Sequence, residues 1–141
     1  MERTYVDYLR KELQMNKEGT EFERELSHFP DLVKLLCDLL ENDVLDKQSR
    51  QAITSSLGYV LVPNDILPEE IYGAYGYMDD LYLACLTVRD LRKKYPDLVE
   101  YLWTHENPID TVLDVCLYVA EKFLEEKNLK DKLLRYAGLS D

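Results

Sequence analysis

Cations are what this sequence is short of. Lys and Arg number 17 against 28 Asp and Glu, a formal charge of −11 over 141 residues. Sequence-independent binding to nucleic acid rests on Lys and Arg neutralising phosphates, so that class of function is excluded. Glycine and proline are scarce at five each, while 46% of the residues are hydrophobic, which excludes a disordered or collagen-like chain. No apolar run approaches the roughly 20 residues that span a bilayer. The opening Met1-Glu2-Arg3-Thr4-Tyr5 has no apolar core of a secretory signal. The expectation is a soluble cytoplasmic protein forming one domain over residues 1–141.

Sulfur and imidazole are equally sparse. Cys37, Cys85 and Cys116 lie far apart, each inside an apolar run, and read as buried reduced thiols rather than a disulfide framework. Only His28 and His105 could join them as zinc ligands, and no two candidates show the close spacing of a structural site, so zinc is discounted. His28, before Phe29-Pro30, reads as loop, and His105, beside Trp103, as a surface or capping residue. There is no G-x-S-x-G, no phosphate-cradling glycine loop and no H-E-x-x-H, the short motifs that would bring enzyme chemistry with them. An enzyme is therefore the less supported class.

What is present is a helical apolar period almost throughout, with no clean two-residue alternation. From Asn107 to Lys127, residues Ile109, Val112, Leu113, Cys116, Val119, Ala120, Phe123 and Leu124 share one stripe. Asn107 suits its N-cap and Pro108 its first position. Leu32, Val33, Leu36, Leu39 and Leu40 stripe a helix opening at Pro30-Asp31 and ending near Asn42-Asp43. A third runs from about Asp46 to Val62, before Pro63 and Pro68. Leu81, Ala84, Cys85, Val88 and Leu91 form the apolar face of a fourth, which Pro96 stops. Shorter helices are expected over Tyr5–Met15, Leu98–Trp103 and Leu129–Tyr136. The fold class is thus all-α, six to eight helices, with a proline- and glycine-rich acidic loop between two central helices.

The shortage of cations becomes complete in the middle. The 38 residues Gln51 to Val88 contain no Lys or Arg and five carboxylates, Asp65, Glu69, Glu70, Asp79 and Asp80. Tyr59, Tyr72, Tyr75, Tyr77 and Tyr82 put five of the eleven tyrosines in the same stretch. Within it, Tyr59-Val-Leu-Val-Pro63-Asn-Asp65-Ile-Leu-Pro68-Glu69, followed by Gly76-Tyr-Met-Asp79-Asp80-Leu81, resembles the YkvA-like domain of unknown function, whose pattern is a tyrosine, Pro-x-Asp-x-x-Pro-Asp and a later Gly-x-x-Asp-Asp opening a helix. The resemblance covers about 40 residues, 51–90. This chain has Tyr72 where the family usually has a second proline, Glu69 for the usual Asp, and a gap to the Asp-Asp pair one residue longer. No agreed reaction comes with the family.

The motif residues Tyr59, Pro63, Asp65, Pro68, Glu69, Gly76, Asp79 and Asp80 admit three readings. In the first they serve the fold: prolines fix the backbone, glycines permit turns, and Asp79 or Asp80 caps the helix that carries Leu81 and Cys85. In the second, Asp65, Glu69, Asp79 and Asp80 are oxygen ligands for Mg²⁺ or Ca²⁺, in a cation-binding domain or a metal-dependent hydrolase. Neighbouring residues on a helix point about 100° apart, so one of Asp79 and Asp80 would cap while the other faced Asp65. In the third, the tyrosine-rich acidic segment is a surface for a protein with a basic face, and the chain is an adaptor or regulatory module without turnover. The counter-reading is that Tyr59 and Tyr82 are core residues with satisfied hydroxyls. The third reading is the expectation carried forward, with cation binding as the alternative.

Overall fold

The computed structural model describes residues 6–7, 23–61 and 78–126. Their elements, in chain order, are α1 (Glu23–Leu26), α2 (Phe29–Leu40), α3 (Lys47–Leu61), α4 (Met78–Lys94), α5 (Pro96–Leu102) and α6 (Ile109–Glu126). The all-α expectation holds, and there is no strand among the described residues. Among the described residues there are five helices beyond the single turn of α1, slightly fewer than the six to eight expected of the whole chain. Two of the expected helices, Tyr5–Met15 and Leu129–Tyr136, fall almost wholly outside the described residues.

Helix starts follow the sequence signals to within two residues. Pro30 and Asp31 stand in the first turn of α2, Pro96 opens α5, and the Pro108 carbonyl accepts the first helical bond of α6 from Val112. Each proline gives up a donor that no helix start can use. Asn107 is one residue too early to be the N-cap, and its carbonyl instead accepts the Trp103 indole N–H at 2.7 Å. At the other end of α2 the freed carbonyls find a cation. Arg50 donates to the Leu40 carbonyl at 2.9 Å and also to the Asn42 carbonyl.

Burial departs from a one-sided stripe at α4. Besides the expected Leu81, Ala84, Cys85, Val88 and Leu91, it buries Met78, Asp79, Asp80, Tyr82, Leu83 and Thr87. The reason is position: α4 packs against α2, α3, α5 and α6, so only Leu86, the Arg89-Asp90 edge and the last turn reach solvent. The helix α3 contributes a thinner stripe, Ser49, Ile53, Ser56 and Tyr59. All three cysteines are free and buried, and burial, with Cys116 beside it, pushes the Cys85 thiol up, which makes it unreactive.

One polar clasp joins the start of α3 to the end of α4. Asp46 precedes α3 and its carbonyl accepts the Arg50 amide at 3.0 Å. Its Oδ1 accepts the Tyr95 hydroxyl at 2.8 Å, its Oδ2 the Lys94 ammonium at 2.6 Å, and its own amide donates to the Tyr95 oxygen at 2.9 Å. The hydrogen bonds from Lys94, Ser49 and Tyr95 hold the carboxyl well below the usual Asp range. A lowered folded value means that the carboxylate's contribution is complete above the unfolded Asp value of about 3.9 and fades as pH falls below it. Thermal melts of the native chain and Asp46→Asn should therefore differ most at neutral pH and converge as pH drops from about 4 towards 2, with Asp46→Asn the less stable at pH 7. A gap independent of pH across that window would show that the charge contributes nothing.

Candidate functional site

The site builds outward from the buried first turn of α4. The amides of a helix's first turn have no intrahelical acceptor, and here that turn lies inside the protein. Asp79 and Asp80 are 0% and 1% exposed. Asp79 Oδ1 accepts the Asp80 amide at 2.9 Å, and Asp79 Oδ2 accepts the Tyr59 hydroxyl from α3 at 2.7 Å. The expectation that Asp79 or Asp80 occupies the N-cap is corrected in its position. Helical geometry already includes Met78, so both acids sit within the first turn, where their negative charge still favours the helix's positive end. Asp79, from inside the first turn, takes up one of its free amides and also ties α3 to α4.

Of the five central tyrosines, the two that the structure describes follow the core reading. Tyr59 and Tyr82 are 6% and 3% exposed, with Tyr59 bonded to Asp79 and Tyr82 donating to Glu121 of α6 at 3.5 Å. Pro63, Asp65, Pro68, Glu69 and Gly76, with Tyr72, Tyr75 and Tyr77, lie outside the described residues. The four-carboxylate cation set can thus be placed only at Asp79 and Asp80, and both oxygens of Asp79 already accept protein donors.

Two arrangements escaped the sequence reading. Between α3 and α4 runs a groove of about 440 Å³, lined by Ser49, Ala52, Ser55 and Ser56 from α3 and by residues including Leu83, Leu86 and Leu91 from α4. Ser56 is 6% exposed, and its Oγ has no hydrogen-bond partner among the described residues. The run of small residues on one face of α3 was its signal in the sequence. The second arrangement is that His28, Asp31 and His105 converge, with one ligand atom from each within 4.8 Å of the others. His28 and Asp31 are three apart, but His105 arrives from the α5–α6 connection, and no local spacing announces it.

Comparison with known proteins points to the same helix pair. The family described as "Protein of unknown function (DUF1232)" matches residues 50–86, which run from α3 at Arg50 to α4 at Leu86. "Uncharacterized protein ORF9" of Methanothermobacter thermautotrophicus is 32% identical over 120 residues, 84% of this chain and 81% of its own length. No solved structure matches.

The Tyr59–Asp79 bond yields a test. Asparagine offers one acceptor oxygen, so Asp79→Asn can serve Tyr59 or the Asp80 amide but not both. Asp79→Asn and Tyr59→Phe should each lower stability by about 1–3 kcal/mol, the range for a buried group that loses its partner. In urea melts the double variant should lose less than the two single losses together. Strict additivity would show that the two side chains do not act as a pair.

Proposed function

The chain belongs to the DUF1232 family of proteins of unknown function, and on that premise we propose that it is a non-catalytic binding module whose α3–α4 groove receives a helix of a protein partner with a basic face. The observation that carries this reading is the open, largely apolar groove between the family's own two helices, walled on α3 by the small side chains of Ser49, Ala52, Ser55 and Ser56.

The surroundings suit a protein surface. Leucines of α4 form an apolar floor, while Gln48, Gln51 and Asp90 stand exposed at the margin, the apolar centre and polar rim of a recognition site. Small side chains on α3 let another backbone come close. The net charge of −11 steers basic partners towards the molecule and repels acidic ones. No helix among the described residues is long and apolar enough to cross a membrane, so none of the described helices is reserved for a bilayer. Coordination of Mg²⁺ or Ca²⁺ by Asp65, Glu69, Asp79 and Asp80 is the alternative.

Backbone-amide NMR during titration with a basic amphipathic helical peptide, and with its acidic counterpart, tests the reading. The basic peptide should shift resonances of residues 48–56 and 83–91, and the acidic one should not. Ala52→Trp, which fills the groove from an exposed position, should weaken binding at least tenfold without lowering the melting temperature. Shifts elsewhere, or unaltered affinity in Ala52→Trp, would overturn the groove assignment. A divalent-specific rise in melting temperature that Asp79→Asn abolishes would favour the cation reading.

A further inference from the structure

We infer that His28, Asp31 and His105 form a binding site for a divalent transition ion of the zinc type, which fastens the start of α2 to the α5–α6 connection. Two imidazoles and one carboxylate are a donor set for zinc and its neighbours rather than for Mg²⁺ or Ca²⁺, which take oxygen ligands. Their ligand atoms lie within 4.8 Å of one another, and the rings of His28 and His105 meet edge to face with centroids 5.2 Å apart. Zinc bonds of about 2.0–2.1 Å place neighbouring tetrahedral ligands about 3.4 Å apart, so the three atoms need draw together by at most about 1.4 Å.

The pieces that must move are identifiable. His28 stands at the N-cap position of α2, where its side chain makes no capping bond, so turning it does not undo the helix start. Asp31 is in the first turn of the same helix. The His105 ring accepts the Asn107 amide on Nδ1 at 3.0 Å, which leaves the proton of the neutral ring on Nε2, 3.6 Å from Asp31 Oδ2. Coordination through Nε2 transfers that proton to Nδ1, and the Asn107 amide turns aside. One local turn bond is exchanged for a link between distant parts of the chain. A cavity of about 230 Å³ lined by Asp31, Lys34, Asp38, Trp103 and His105 adjoins the cluster. Three protein ligands with open space beside them leave a fourth position for water, the pattern of a zinc site that stays accessible.

The experiment compares melts of the metal-free full chain in Zn²⁺ and in Mg²⁺ at matched ionic strength, with calorimetry for stoichiometry. Zinc should bind one to one and raise the melting temperature by about 5–10 °C at a hundredfold excess over Kd, and Mg²⁺ should not. His105→Gln and Asp31→Asn should abolish the rise while melting, metal-free, close to the native chain. Should either variant fail to fold, the visible spectrum of the Co²⁺-loaded native chain decides. Strong tetrahedral bands without thiolate-to-cobalt charge transfer assign the ion to nitrogen and oxygen ligands. Thiolate bands would place it at the cysteines and overturn the inference, as would a zinc rise no larger than that of Mg²⁺ or one that survives in folded variants.

Discussion

A helix whose first turn is buried must satisfy that turn's amides without water, and much of this structure answers that constraint at α4. Four helices surround it, so even its opening turn is buried. Carboxylates meet the need better than apolar side chains there, because they accept amides and carry the sign that the helix's positive end favours. A buried carboxylate in turn requires donors, and Tyr59 of α3 supplies one. The hydroxyl thereby fixes the approach of α3 to α4, and the groove between those helices inherits its shape from that pairing.

Three of the described cations serve the places where helices end. Arg50 takes carbonyls at the close of α2. Arg92, in the last turn of α4, donates to the Pro96 carbonyl at 2.7 Å and pairs with Asp110 in the first turn of α6. Lys94 meets Asp46 before α3. Helix C-termini carry partial negative charge, so each cation serves a dipole and a carboxylate or carbonyl at once. These contacts are partly exposed and individually modest. Their effect is to set the angle of each turn rather than to supply the bulk of the stability, which comes from the contiguous buried cluster of leucines, valines and aromatics.

Sequence pattern revealed the helices whose apolar residues face one way. The stripes of α2 and α6, and the prolines at 30, 96 and 108, located those elements to within two residues. Periodicity assigns polar residues outward, however, and so it could not place Asp79 and Asp80 in the interior; their burial follows from α4 being central, a property of the whole arrangement. For the same reason Tyr59 could not be matched to Asp79, 20 positions away. His105 reaches His28 and Asp31 only because α5 folds back onto α2. Ser56 was visible as a small residue in α3, but its lack of a partner among the described residues depends on how α4 lies beside it.

The clasp at Asp46 also bears on how this segment tolerates change in length. Asp46 and Tyr95 are 49 positions apart, and the family's matched residues 50–86 lie wholly between them. Both ends of that stretch are therefore pinned at one place, as the two ends of a loop are pinned by its closure. The entropy of closing a chain grows only logarithmically, about 0.6 kcal/mol for each doubling. Residues added between α3 and α4 thus weigh little against the contacts that hold the two helices together. A helix pair whose ends meet can lengthen its connection, or be transplanted into another protein at a single surface point, without disturbing what surrounds it.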